Sequence, residues 1–154
     1  MSDYYGGLNQ KLLKALPSVA NVLELGCANG NLGKQYKTLN PSSQWVGVDC
    51  NEGALTKART RLDHVYKLDL DEDDLSVIGN EFDIIVIGDL LEHLKDPEIL
   101  LANLKLLCKS TSRLFCCVPN MSHISVIEQI VSGDISYVDM GLLDRTHLRF
   151  FSPS

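Results

Sequence analysis

The chain has 154 residues, 45% of them hydrophobic and 22% charged, which is the composition of one globular domain and excludes a disordered or low-complexity polymer. Its net charge of −6 argues against a surface that tracks phosphates, because nucleic-acid affinity rests on clustered Lys and Arg. The expected partner is a small molecule, with no nucleic acid.

In chain order, an opening helix is expected around Leu8–Leu16. Short apolar runs at Asn21–Leu25, Trp45–Asp49, Val65–Asp69, Asp83–Ile87 and Leu114–Val118 read as five strands. Helical spacing fills Leu32–Leu39, Glu52–Leu62 and Pro97–Cys108, the last placing Leu100, Leu101, Leu104 and Leu107 on one face. Ser152 and Pro153 read as the cap and first position of a further helix. No repeat or linker interrupts this order, so residues 1–154 are taken as a single domain. Strands alternating with helices imply an α/β fold with a mostly parallel five-stranded sheet, covered by helices on both faces. Ligands of such sheets sit at the carboxyl ends of the strands, where the strand order switches.

Apolar runs such as Phe82–Ile87 fall far short of the roughly 20 residues of a membrane-crossing helix, and Met1-Ser2-Asp3-Tyr4 lacks the profile of a signal peptide. A cytoplasmic protein with no membrane partner is expected. Cys27, Cys50, Cys108, Cys116 and Cys117 are an odd set without C-x-x-C spacing, and they read as reduced, mostly buried thiols rather than disulfides or zinc ligands.

The segment Glu24-Leu25-Gly26-Cys27-Ala28-Asn29-Gly30-Asn31-Leu32-Gly33 carries the clearest chemical signal. Glycines between a strand and a helix let backbone approach a ligand, although a tight turn alone also accounts for them. The dinucleotide pattern G-x-G-x-x-G from Gly26 fails at Ala28 and Asn31, and the phosphate loop G-x-x-x-x-G-K-[ST] fails at Ala28 and Gln35, which weighs against a nicotinamide oxidoreductase. The run fits acid-x-G-x-[GA]-x-G instead, and there it resembles the first motif of the class I, Rossmann-like S-adenosylmethionine-dependent methyltransferases. Ala28 stands where glycine is commoner in that family. The segments Val118-Pro119-Asn120-Met121-Ser122-His123 and Gly141-Leu142-Leu143-Asp144-Arg145-Thr146-His147-Leu148-Arg149-Phe150-Phe151 resemble a bacterial-type subgroup acting on small molecules. The resemblance runs from Tyr4-Tyr5 to Phe151.

The resemblance implies a cofactor site made by Glu24, Gly26, Cys27, Ala28, Gly30, Asp49, Cys50, Asp69, Leu70, Gly88 and Asp89, binding S-adenosyl-L-methionine and releasing S-adenosyl-L-homocysteine. In it Asp49 accepts from the ribose hydroxyls, though a carboxylate at a strand end also serves as a helix cap, and Asp69 receives the adenine amino group. Gly88 and Asp89 meet the ligand's ammonium. Glu92 and His93 read either as first-turn residues of a helix or, for His93, as a side chain facing the pocket. In-line transfer requires no metal, and the chemistry is mainly positioning. For a hydroxyl acceptor a histidine base is expected, and His123 and His147 are the candidates, His123 first because it follows the fifth strand; His64 is expected on the surface. A hydrogen-bonded loop histidine with a purely structural role remains open for each. Two other readings stay open, a nucleic-acid or protein methyltransferase, and a module that binds the cofactor without catalysis.

The helix signal at Ser152 without a following helix predicts a fragment that lacks the family's C-terminal antiparallel strands. Leu114–Val118 would then be an apolar sheet edge, covered by residues 133–151 or by self-association into a homo-oligomer.

Overall fold

Successive residues of a strand point to opposite faces, and in the central strands both faces are apolar, so the sheet is built to be covered twice. In the computed structural model, which describes residues 7–19, 21–79 and 82–153, this is what happens. The strands are β1 (Asn21–Leu25), β2 (Gln44–Asp49), β3 (His64–Lys67), β4 (Phe82–Gly88) and β5 (Cys108–Cys117). They pair in parallel in the order β3-β2-β1-β4-β5. Among the described residues no strand runs antiparallel.

The helices α1 (Gln10–Ala15), α2 (Asn31–Leu39) and α3 (Glu52–Ala58) pack on one face, where Leu12, Leu32, Tyr36, Leu55 and Ala58 meet Val22, Trp45, Ile84 and Val86. On the other face α4 (Pro97–Asn103) and two short 3-10 turns bring Leu75, Ile78, Leu100, Leu104 and Leu107 against Leu23, Leu25, Val46, Val48, Ile85 and Ile87. Gly33 sets how closely α2 rides on β2, since a Cβ there would lie 2.5 Å from Leu62 and 2.6 Å from the Trp45 ring nitrogen. That approach lets the Tyr36 and Trp45 rings pack at 4.9 Å between centroids, tilted by 52°, both fully buried. A fifth helix, α5 (Ile124–Ser132), follows β5.

Several boundaries differ from expectation. The helix expected to Leu62 ends at Ala58, because Thr60 and Arg61 bond back only three residues, to Lys57 and Ala58, and tighten the last turn. The helix expected over Pro97–Cys108 is α4 followed by a 3-10 turn, Leu104–Leu107, which leaves Leu101 only partly buried beside Leu100, Leu104 and Leu107. β5 begins at Cys108, not Leu114, and β3 stops at Lys67, so Asp69 lies beyond the strand: its carboxylate accepts the Asp71 amide and its own amide goes to Asp73, a local turn that competes with the ladder. His64 belongs to β3 and is exposed, as expected of its surface position.

The cysteines are not mostly buried. Only Cys27 is; Cys50 is exposed after β2, while Cys108 and Cys116 are exposed on β5, a strand at the sheet edge with one neighbour. The outer side of β5 pairs with no described strand, and Leu114 is 49% exposed there. Residues 133–151 cross the carboxyl end of the sheet instead: the Leu148 and Arg149 amides donate to the Glu92 carbonyl, and Phe151 bridges to Asn120. Ser152 and Pro153 are irregular rather than helical, and Tyr4-Tyr5 and Ser154 lie outside the described residues. No helix of the described residues is long and apolar enough to cross a membrane.

Candidate functional site

The strand order switches between β1 and β4, and the loops leaving their carboxyl ends splay apart around a cavity of about 830 Å³. That is the size of a site for a sizeable organic ligand, and its position is where open α/β sheets bind them.

The first wall is the turn after β1. Gly26 has φ +74°, and a Cβ there would lie 3.1 Å from Leu90. The Gly26 and Cys27 amides donate to the Val48 carbonyl at 2.8 and 2.9 Å, and the Ala28 amide donates to Asp49 Oδ2 at 2.8 Å. Asp49 Oδ1 accepts the Asn51 amide at 2.8 Å, so this buried carboxylate ties the turn to the end of β2 while lining the cavity. Ala28 has φ +48°, a left-handed conformation that explains why glycine suits this position and costs a residue bearing a Cβ about 1 kcal/mol. Gly30, at φ +75°, caps α2 without lining the cavity; its own Cβ would press on Leu62 and the Ala58 backbone.

Glu24 lines the floor. It is 6% exposed and accepts from the Trp45 ring nitrogen at 2.9 Å. Burial pushes its carboxyl up to about 8 against the Trp45 hydrogen bond, and the Asp49 charge adds to the rise. Burial likewise pushes the Cys27 thiol far up, which excludes it as a nucleophile. Cys50, Gly88 and Asp89 also line the cavity, Asp89 with φ +51° and its amide on the Cys117 carbonyl. Asp69 and Leu70 are outside the lining, Asp69 being exposed in its own turn.

The opposite wall comes from the 3-10 turn Leu91–His93 and the loop 140–147. Glu92 is 1% exposed and neither carboxylate oxygen has a partner among the described residues. Burial pushes it up to about 7, opposed by its own backbone amide and reinforced by Asp89 and Asp144. The His93 and His147 rings meet edge to face at 4.8 Å. His93 Nδ1 lies 3.1 Å from the Thr146 hydroxyl and 3.3 Å from the Thr146 carbonyl, and that hydroxyl donates to Asp144 Oδ1 at 2.7 Å. His147 Nδ1 lies 3.3 Å from the Leu142 carbonyl. Burial and the neighbouring His147 lower His93 below the ordinary imidazole value. Burial opposes ionisation of Asp144, but Thr146 and the two imidazoles together hold its carboxyl below the usual range.

His123, the first expectation for a base, is not among the lining residues. It caps α5, its Nδ1 accepting from the Ser125 hydroxyl at 2.8 Å and the Ser125 amide at 3.3 Å. His147 does line the cavity. Sequence reasoning misses Asn29, whose buried Oδ1 faces no described partner, and it misses the burial of Glu92. The Glu-His dipeptide after β4 is the signal for the second; a lone Asn inside a glycine turn offers none for the first.

Residues 23–114 match the family model described as a methyltransferase domain, which covers more than half of the chain. Ubiquinone biosynthesis O-methyltransferases are similar over most of the sequence: that of Hydrogenovibrio crunogenus is 26% identical, matching 96% of this chain and 63% of its own, and that of Dinoroseobacter shibae 30% identical, matching 86% and 54%. The chain thus spans less than two thirds of the length of these relatives. Among solved structures, the plantazolicin methyltransferase BpumL in complex with SAH superposes with a TM-score of 0.62 at 21% identity, over 86% of this chain and 48% of that one. An S-adenosylmethionine-dependent methyltransferase from Mesorhizobium loti gives 0.62 at 20% identity, over 71% and 52%. With the parallel order β3-β2-β1-β4-β5 and the glycine turn after β1, the chain belongs to the methyltransferase domain family, in its Rossmann-like, S-adenosylmethionine-dependent class I form.

Proposed function

We propose that this chain binds S-adenosyl-L-methionine in the cavity between β1 and β4 and directs its methyl group to a hydroxyl of a small-molecule acceptor. The observation that carries the reading is the two-walled cavity itself: an acidic, backbone-rich wall at Glu24, Gly26–Asn29, Asp49 and Asp89, and an imidazole-bearing wall at His93 and His147. No Lys or Arg is among the described lining residues while Asp49, Asp89 and Asp144 are, so the potential inside favours a cation, and the cofactor carries about one net positive charge at neutral pH. When bound, the cofactor supplies an electrophilic methyl on a sulfonium.

The chain's residues do the rest by position. Asp49, braced by the Ala28 and Asn51 amides, keeps lone pairs for ribose hydroxyls. Gly88 and Asp89 receive the ammonium, and the Gly26 turn sets how near the backbone comes. His147 meets the acceptor. Asp69 and Leu70 take part only if the turn after β3 folds over the adenine, and His123 serves as a helix cap. Likeness to ubiquinone biosynthesis O-methyltransferases supports a hydroxyl as the methyl acceptor.

Calorimetry with S-adenosylhomocysteine tests the cofactor half. The parent should bind, and Asp49→Ala should weaken binding by about 1.5–3 kcal/mol, the scale of hydrogen bonds to a charged group. Unchanged affinity in a folded Asp49→Ala variant refutes the assignment.

A further inference from the structure

Glu92 is unexplained by methyl transfer as described. Its carboxylate is buried, faces the cavity and has no described partner, an arrangement that costs several kcal/mol unless something compensates it. Beside it, ligand atoms of Glu92, His93 and His147 all lie within 4.8 Å of one another. We propose that these three residues form a divalent-cation site, one carboxylate and two imidazoles, on which the acceptor hydroxyl docks.

Three observations converge on it. Each imidazole has a carbonyl near Nδ1, Thr146 O for His93 and Leu142 O for His147, both at 3.3 Å. That places the ring proton on Nδ1 and the lone pair on Nε2, the tautomer that metal-bound histidines take through a carbonyl partner. Behind His93 the relay continues through the Thr146 hydroxyl to buried Asp144, as outer-shell carboxylates do around metal sites. The surroundings are acidic, with Asp89 in the same lining, so a dication would find a field that favours it.

One oxygen and two nitrogen donors suit ions such as Mn²⁺, Fe²⁺ or Zn²⁺, and three protein ligands leave coordination positions open for an acceptor oxygen. An ion there lowers the pKa of the docked hydroxyl. The hydroxyl proton leaves to solvent, the O–C bond forms as the C–S bond breaks, and S-adenosylhomocysteine departs neutral at sulfur. This replaces an imidazole base, since the Nε2 lone pairs are spent on the ion. The acceptor's part rests on the methyltransferase reading above; binding of the ion does not.

The test titrates Mn²⁺ into metal-stripped protein and follows the electron paramagnetic resonance of the free ion. Mn²⁺ is chosen because it avoids thiolates, and Cys108 and Cys116 are exposed. The expected result is one ion bound per chain, weakened at least tenfold in Glu92→Gln and His147→Ala while S-adenosylhomocysteine affinity stays within twofold. Thr146→Val, which replaces none of the three ligands but removes the hydroxyl that joins His93 Nδ1 to Asp144, should weaken Mn²⁺ by about 10- to 100-fold through the misoriented His93 ring, and it reports even if the ligand variants misfold. No bound Mn²⁺ in the parent, or equal affinity in parent and Thr146→Val, overturns the proposal. Failure of the parent to bind S-adenosylhomocysteine while holding Mn²⁺ would refute the methyltransferase reading and keep the cation site.

Discussion

Glu24→Gln should change how the fold responds to pH. In the folded chain Glu24 is 6% exposed and pushed from 4.5 up to about 8, whereas in the unfolded chain it ionises near 4.5. Between those values the folded state keeps a proton that the unfolded state has lost. Stability therefore falls as pH rises through the window and levels off above about 8, where the folded state ionises too. At 1.36 kcal/mol per unit, a shift of about 3.5 units corresponds to roughly 3–5 kcal/mol across the window, a large share of the 5–15 kcal/mol typical of a domain. Gln keeps an oxygen for the Trp45 ring nitrogen, which donates at 2.9 Å, and cannot ionise. Urea unfolding at pH 5, 6, 7 and 8 should show the parent losing stability with pH and the variant losing less by about that amount. Parallel profiles would refute the reasoning, because they would mean that Glu24 is solvated enough to ionise in place.

His147→Ala should lower methyl transfer at least tenfold with cofactor affinity intact, and His123→Ala should leave transfer within twofold while costing about 1 kcal/mol of stability as a lost helix cap; steady-state kinetics with urea melts read both. Ala28→Gly should stabilise the fold by up to about 1 kcal/mol, since it relieves φ +48°, and a thermal melt shifted downward would contradict the strain argument. Light scattering over a concentration series should show self-association through the open side of β5, reduced by Leu114→Lys, which sets a charge on a side chain 49% exposed at that edge. A parent mass that stays monomeric throughout would refute the edge reading.

The sheet is legible in the sequence because buried parallel strands leave continuous apolar runs, and all five are found at their places. Their ends are less so. Asp69 looks like a strand terminus by hydropathy, but the contest between ladder and local carboxylate turn is decided by side-chain bonds to Asp71 and Asp73. α5 goes unassigned, although Gly133 at φ +73° and the apolar spacing of Val126, Ile127 and Ile130 carry a signal, because four of its apolar residues stay exposed and no partner face announces it. The cavity wall proposed for the cofactor is largely readable, since Glu24, Gly26 and Asp49 lie in one motif or at a strand end. The wall opposite is not. His93 and His147 come together only through the crossing of residues 133–151 over the sheet, and local sequence gives no account of that path.

The two walls are therefore anchored by different kinds of structure. The turn after β1 is held by the central strands, with amides on Val48 and Asp49. The loop bearing His147 is joined to the segment after β4 by the Leu148 and Arg149 amides on the Glu92 carbonyl, by Thr146 against His93 Nδ1 and by the Arg149 guanidinium on the Lys95 carbonyl. Opening these contacts together would separate His147 from the turn after β1 without breaking the amide bonds to Val48 and Asp49, so the two walls can open independently of each other.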